Sequence, residues 1–402
     1  MPPVYSGLVD TEDILSQEKV VDMDNEIKML DLDTTQFTTM LMELSSREGT
    51  RERVDWLEDE YFPRLVNLQT APTSAASGTT ATFAFATNES AILRIGDIVR
   101  NQISGEAFRV TAIAGDTGVT VRRGIGGVAA GSSVSGAQCL IIGNAQAQGA
   151  DIGEGKITLR VNQFNYQQIF RHSWKFTNTQ TKIELYGGRE PNKERAKKLV
   201  EHKRALEYSL FWGARFFDTT SGTEPIGGMG GCFEFIQTYK KSGNGLGPKA
   251  STFDKWMIDG LQHGSKNKVF FCSPVLAWAI SQFPSNQYRT NQTGAQTYGI
   301  KVDGFVSGAY GWDVPIVVKR DWNDFTIPAS ATQYGYGGVG FLIDMDRVRL
   351  RPLRERSTKL YTDRQGPGVD STWEEYITET SFQFEVEKSH MYVFACGSTL
   401  EP

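Results

Sequence analysis

The stretch PNKERAKKLVEHKRALEYSLFWGARFF, residues 191–217, sets the architecture. Pro191 suits the first turn of a helix, where its missing N–H would be unpaired anyway. Leu199, Leu206, Leu210, Ala214 and Phe217 then recur at three-, four- and seven-residue spacing, one face of a helix. The opposite face carries Lys193, Arg195, Lys197, Lys198, Lys203 and Arg204, with Glu194, Glu201 and Glu207 between them. At 1.5 Å per residue such a helix would be about 40 Å long. That is long enough to serve as the backbone of a flat or elongated subunit.

Downstream, a glycine-rich turn (Gly227 to Gly231) and a polar loop at 240–250 lead into alternating short elements. Phe253 to Leu261 reads as helix, Val269 to Cys272 as strand and Pro274 to Phe283 as helix. Ile300 to Val306 and Val314 to Lys319 read as a hairpin about Gly308 and Gly311. In the C-terminal part, Arg347-Val-Arg-Leu-Arg351 and Phe382-Gln-Phe-Glu-Val-Glu387 both alternate apolar and polar residues. Pairing them would join the two apolar faces and set arginines opposite Glu385 and Glu387.

Upstream the composition changes abruptly. Residues 71–155 hold 14 Gly and 16 Ala but only 11 charged residues, so they cannot share the charged surface of the rest. Within them Ile98–Val99, Phe108 to Ile113, Val119 to Arg122 and Cys139 to Ile142 read as short strands between glycine turns. This spacing predicts an inserted compact β module or a long two-stranded projection. Ile157 to Val161 and Phe170 to Phe176 read as strands that follow it. The fold class is therefore α+β.

Charge is unevenly placed. The chain has 402 residues and a net charge of −5. Residues 1–60 carry 16 acidic and 5 basic side chains, a net of −11, and the remainder a net of +6. An acidic arm on a basic body predicts docking on basic surface of the same or a neighbouring subunit. The arm also carries Ile14, Leu15, Met23, Ile27, Leu30, Phe37, Met40, Leu41 and Leu44, anchors that favour packing over solvation.

Several classes are excluded. The opening MPPVYSGLVDTED lacks the basic and apolar regions of a signal peptide. Val269 to Phe283 is too short and too interrupted to cross a bilayer. Cys139, Cys232, Cys272 and Cys396 lie far apart without a CxxC spacing, so no zinc site or disulfide framework is indicated and reducing, cytosolic synthesis fits. His172, His202, His263 and His390 show no paired ligand spacing, and no GxSxG elbow occurs. Gly124-Ile-Gly126-Gly-Val-Ala129 has the spacing of a dinucleotide loop, but the glycine- and serine-rich residues 131–136 cannot supply its helix. No catalytic residue, cofactor or metal is expected.

These residues also resemble a family. Asp97-Ile-Val-Arg100, Gly105 to Ile113 and Val119 to Gly124 are similar to the β insertion of a family of tailed-bacteriophage major capsid proteins. Asn162 to Phe170 with Phe176 to Gln180, the charged helix running into Glu207-Tyr-Ser-Leu-Phe-Trp-Gly213, and the turn Pro225 to Gly231 also look like that family. The order of these motifs carries the resemblance. It implies the HK97-like shell fold shared by tailed phages, herpesvirus floors and encapsulins. On that pattern residues 1–60 would be an N-terminal arm and 61–165 an extended loop with the inserted β module. Residues 166–250 would be a peripheral domain with spine helix 191–217, and 251–340 an axial domain. Residues 341–402 would be strands returning to the peripheral domain.

The implied function is a major capsid protein whose copies form hexamers and pentamers of an icosahedral shell around double-stranded DNA. An encapsulin-like compartment and, less well supported, a β-rich glycan-binding protein or hydrolase are the alternatives. A separate scaffolding protein, portal and decoration proteins would be partners, with DNA held non-specifically and no membrane involved. Assembly would take place in the host cytoplasm. Expected contacts between subunits are Asp22, Asp24, Asp31, Asp33 and Trp56 on the arm, Lys193, Lys197, Lys198 and Arg204 on the helix, and Arg122 and Arg123 on the insertion. Arg347, Arg349 and Arg351 are the expected nucleic-acid-facing residues.

Overall fold

In a computed structural model, the described residues are 35–44, 47–70, 80–115, 117–130, 136–151, 155–183, 190–220, 224–283, 288–290, 302–308, 310–323 and 337–401. The chain divides into two compact units. One comprises Met1–Trp56 with Gln163–Pro402, the other Leu57–Asn162.

The first unit begins with α1 (Gln36–Glu43) and β1 (Arg53–Glu58). The second contributes β2 (Leu65–Thr70), β3 (Thr80–Phe85), β4 (Asp97–Asn101), β5 (Ala107–Ala114), β6 (Gly118–Arg122) and β7 (Gln138–Asn144). The chain re-enters the first unit through β8 (Val161–Tyr166), which pairs with β1. Then follow β9 (Gln168–Thr177), α2 (Asn178–Lys182), α3 (Glu190–Trp212), β10 (Phe216–Asp218), β11 (Ile226–Gly228), α4 (Cys232–Phe235) and β12 (Lys240–Ser242). The remainder is α5 (Ala250–Leu261), β13 (Lys268–Cys272), α6 (Pro274–Ser281), β14 (Tyr288–Thr290), β15 (Val302–Val306) and β16 (Asp313–Val318). It closes with β17 (Gly340–Asp344), β18 (Val348–Pro352), β19 (Lys359–Tyr361), β20 (Ser371–Phe384) and β21 (Met391–Phe394).

The first unit is built on a seven-stranded sheet of order β12-β21-β17-β13-β16-β15-β14. Its centre is buried on both faces, so its strands read as unbroken apolar runs instead of alternating ones. Along β13, Val269 and Phe271 enter one core while Phe270 and Cys272 enter the other. On β21, Tyr392 and Phe394 join the first core while Met391 and Val393 join the second. The first core is covered by α1, α3 and the sheet formed by β9, β18, β19 and β20. The second is covered by α5 and α6. β15 and β16 pair antiparallel, Gly304 opposite Pro315, as the hairpin reading expected; Ile300 and Lys301 lie outside the described residues.

The spine helix ends five residues earlier than its periodicity predicts. Gly213 donates to Ser209 O, and a Cβ there would lie 2.4 Å from both Met229 O and Ser209 O. Backbone approach this close terminates the helix at a residue without a side chain. Phe216 and Phe217 then pair with Gly228 and Gly227 as a β-hairpin.

The C-terminal strands pair as the alternation indicates. Val348 faces Phe384 and Leu350 faces Phe382, all four in the first core. The expected arginine–glutamate ladder is replaced by a different set of bonds. Arg349 stands opposite Gln383, and Arg351 donates to Gln383 Oε1 at 2.7 Å. The cause is backbone geometry: Val386 turns to φ 51°, so Glu387 leaves the strand and accepts from Gln237 N at 2.8 Å.

The second unit is a closed antiparallel barrel of order β2-β3-β6-β5-β4-β7. Closure removes both sheet edges, and of the two expected forms the insertion takes the compact one. Inward positions Val66, Leu68, Phe83, Phe85, Val99, Phe108, Val110, Val119, Val121 and Cys139 form its core. The expected strand at 157–161 is corrected: residues 157–160 pair with no strand, and β8 begins only at Val161.

Candidate functional site

Among the described residues no group of three His, Cys, Asp or Glu could hold a metal ion. Burial pushes the Cys139 and Cys396 thiols up to about 12 and raises those of Cys232 and Cys272, so these are not thiolates at neutral pH. The candidate site is surface, where described side chains are exposed and apolar or charged.

The first such surface lies in the segments that begin and end the second unit. Ile157 and Leu159 are 83% and 81% exposed, Tyr61 is fully exposed, and Leu57 and Val161 are mostly exposed. Thr158 Oγ1 donates to Asp59 Oδ1 at 2.8 Å, joining the outgoing and returning segments. The alternation of residues 157, 159 and 161 is what the sequence read as a strand; their exposure is a tertiary fact.

Charges are the second. Asp22, Asp24, Asp31 and Asp33 lie outside the described residues. Lys197 is exposed and Lys193 half-buried on α3. Lys198 is held by Glu201 at 2.6 Å and Glu194 at 3.8 Å, and the Glu201 hydrogen bond raises its pKa. Arg204 hydrogen-bonds Tyr208, whose hydroxyl also meets Asp321. Arg347 and Arg349 are exposed, whereas Arg351 is half-buried, its pKa lowered by burial and by Arg47 and Arg349.

Two expected contact residues are corrected. Trp56 is 8% exposed, and its ring lies 6.0 Å from that of Phe235 in the same unit. Arg123 is buried, donating to both carboxylate oxygens of Glu106 at 2.8 and 2.6 Å. Neither side chain is available to a neighbour.

Sequence reasoning missed two buried polar joints. Glu207 of α3 accepts from Phe37 N at 3.0 Å, Thr38 N at 2.6 Å and the Thr38 hydroxyl, and is paired with Lys319 at 2.7 Å. It read as one of several helix-face glutamates, and no local spacing connects it to residues 37 and 319. The other joins α3 to the sheet. His172 Nδ1 lies 3.0 Å from His202 Nδ1, His202 Nε2 lies 2.7 Å from Thr378 Oγ1, and Thr378 donates to Thr358 at 2.7 Å. With the Thr378 hydrogen given to Thr358, His202 Nε2 donates and its Nδ1 accepts from His172.

That arrangement requires a neutral His202. Burial first, and His172 second, lower its pKa from 6.5 to about 4; burial lowers that of His390 to about 3. The unfolded chain takes up these protons at higher pH than the folded one. The stability from keeping both rings neutral is therefore full above about pH 6.5 and falls as pH drops toward 4 and 3. His202→Gln should flatten the upper part of this acid limb, measured as denaturation midpoint from pH 7 to 4. An unchanged slope would show that the pair does not titrate this way.

The chain thus combines an α+β body, a long helix and an inserted closed barrel. The chain belongs to the SU10 major capsid protein family, whose model matches residues 8–396. Its fold is similar to that of the capsid of a native GTA particle, at TM-score 0.52 and 8% identity, covering 96% of this chain and 98% of that one. The capsid of Gordonia phage Cozz aligns at TM-score 0.46 and 9% identity over 98% and 97% of the two chains. The SrpI encapsulin of Synechococcus elongatus PCC 7942 aligns at 0.42 and 7% over 61% and 80%. No curated protein matches in sequence. The chain is thus a major capsid protein of HK97-like fold, a component of the virion capsid.

Proposed function

We propose that copies of this chain join as hexamers and pentamers of an icosahedral shell around double-stranded DNA, through packing and charge instead of chemistry. The exposed apolar side chains where the second unit begins and ends carry this reading. Leaving Leu57, Tyr61, Ile157, Leu159 and Val161 in water forgoes their burial, worth about 25 cal/mol per Å², and so many exposed apolar groups in two short segments point to an interaction surface. In this reading residues 1–60 act as arm, 61–165 as extended loop, 166–250 with 341–402 as peripheral domain and 251–340 as axial domain. Lys193 and Lys197 meet neighbouring copies, and Arg347, Arg349 and Arg351 face the packaged DNA, neutralising phosphate without reading sequence. A separate scaffolding protein guides closure in the host cytoplasm, and portal and decoration proteins complete the head.

The test is Ile157→Ser with Leu159→Ser. Both side chains are solvent-facing, so monomer melting should stay within about 0.5 kcal/mol of wild type. Closed particles counted by electron microscopy should fall at least tenfold. Normal particle yield would remove these side chains from the assembly contacts.

A further inference from the structure

The acidic arm needs a basic counterpart, and helix α3 offers a mixed field. Lys198 sits between Glu194 and Glu201, and Arg195 is paired with Glu374. The barrel presents a different surface. Arg100 of β4, Arg109 of β5 and Arg122 of β6 alternate with the inward Val99, Phe108, Val110 and Val121, so their side chains share the outer wall.

Strand register gathers them. Arg109 stands directly opposite Arg122, and Ile98 stands opposite Arg109, which places Arg100 diagonal to Arg109. Among the described residues no carboxylate pairs with any of the three, and Arg109 Nε is buried without a hydrogen-bond partner. Like charges directly opposite on a sheet destabilise it. The next residue, Arg123, shows the contrast: it points inward and is fully neutralised by Glu106.

Beside the arginines lies an apolar strip on the same wall. Leu65 of β2 is opposite Leu140 of β7, Ile142 follows two residues on, and all three are exposed. A partner for this wall must carry several negative charges with apolar side chains between them. Residues 1–34 hold nine acidic and two basic side chains, and Asp22-Met-Asp-Asn-Glu-Ile-Lys-Met-Leu-Asp-Leu-Asp33 interleaves the two types. A nucleic acid would satisfy the arginines but leave Leu65, Leu140 and Ile142 uncovered.

We propose that the outer wall of the barrel, Arg100, Arg109 and Arg122 flanked by Leu65, Leu140 and Ile142, binds the acidic segment 10–33 of a neighbouring copy. This rests on the assembly reading above and moves the arm's docking surface from the helix to the barrel. An anion laid across the Arg109–Arg122 pair also offsets the repulsion that the isolated barrel bears.

A charge swap tests it in the full-length chain. Arg100→Glu/Arg109→Glu/Arg122→Glu should lower particle yield at least tenfold, as should Asp22→Lys/Asp24→Lys/Asp31→Lys/Asp33→Lys. Combining both sets should restore yield to within about twofold of wild type. Normal yield from the first set, or a combined variant as defective as either alone, would overturn the proposal. A neutral control, Arg100→Gln/Arg109→Gln/Arg122→Gln, should melt no lower than wild type.

A labelled peptide of residues 10–33 titrated onto full-length protein decides the point without particles. Binding at least tenfold weaker to the glutamate variant supports the proposal, and equal binding overturns it. Preferential binding of duplex DNA over the peptide at this wall also overturns it, in favour of nucleic acid. Absence of particles from the wild type would instead count against the assembly reading, with the peptide titration still deciding the barrel.

Discussion

Glu207→Gln should destabilise the first unit by about 3–5 kcal/mol, the cost of leaving one member of a buried ion pair without its partner. Glu207 and Lys319 are both almost wholly inaccessible, 2.7 Å apart, with Asp321 3.9 Å from the same ammonium. The glutamate has a second task. Thr35, the residue before α1, makes no side-chain capping bond. Glu207 supplies one from another helix, accepting from the N–H groups of Phe37 and Thr38, donors that have no partner within α1. One carboxylate thus neutralises a buried lysine and anchors the base of the arm, whose Phe37 and Leu41 are inserted in the first core.

Denaturant midpoints would show the loss, and limited proteolysis should cut within residues 36–53 of the variant before wild type. Lys319→Met alone should cost a similar amount by stranding the carboxylate. The double variant Glu207→Gln/Lys319→Met should recover part of it, since no buried charge of that pair remains. Additive losses would show that the two groups act independently and that the pairing is not the source of the effect.

The second large effect falls in the barrel. Arg123→Met should cost that unit about 3–5 kcal/mol, because Glu106 would be left charged and fully buried. The bond is bidentate, the strongest geometry available to an arginine, and the guanidinium lies 5.4 Å from the centre of the Phe83 ring. The barrel has a separate core from the rest of the chain. Calorimetry should therefore show a low-temperature transition displaced downward by the substitution, with the main transition within about a degree of wild type. A single transition that shifts as a whole would show that the two units unfold together.

These effects also mark where the sequence is readable. Helix α3, strand β13, the hairpin of β15 and β16 and the barrel strands β4 to β7 follow from residue spacing, because hydrophobic period reports secondary structure directly. The pairing of β18 with β20 follows as well, from matched apolar faces. Arg122 and Arg123 mark the limit. Adjacent residues on a strand point to opposite sides, and alternation with Val119 and Val121 turns Arg123 inward, but that Glu106 waits there to neutralise it is a tertiary fact. The same holds for Trp56, an arm residue by position and a core residue by packing.

The sequence by itself determined the α+β class, the uneven charge, the long helix and the inserted β module, and with them the resemblance to tailed-phage shells. These rest on local patterns and on composition, which need no knowledge of distant partners. Only the tertiary structure decided that the insertion closes into a barrel, that Glu207 holds residues 37, 38 and 319 together, and which arginines stand unpaired. Each of those depends on contacts between residues tens to hundreds of positions apart. Such contacts are set by the packing of whole elements, and neighbouring residues in the chain do not encode them.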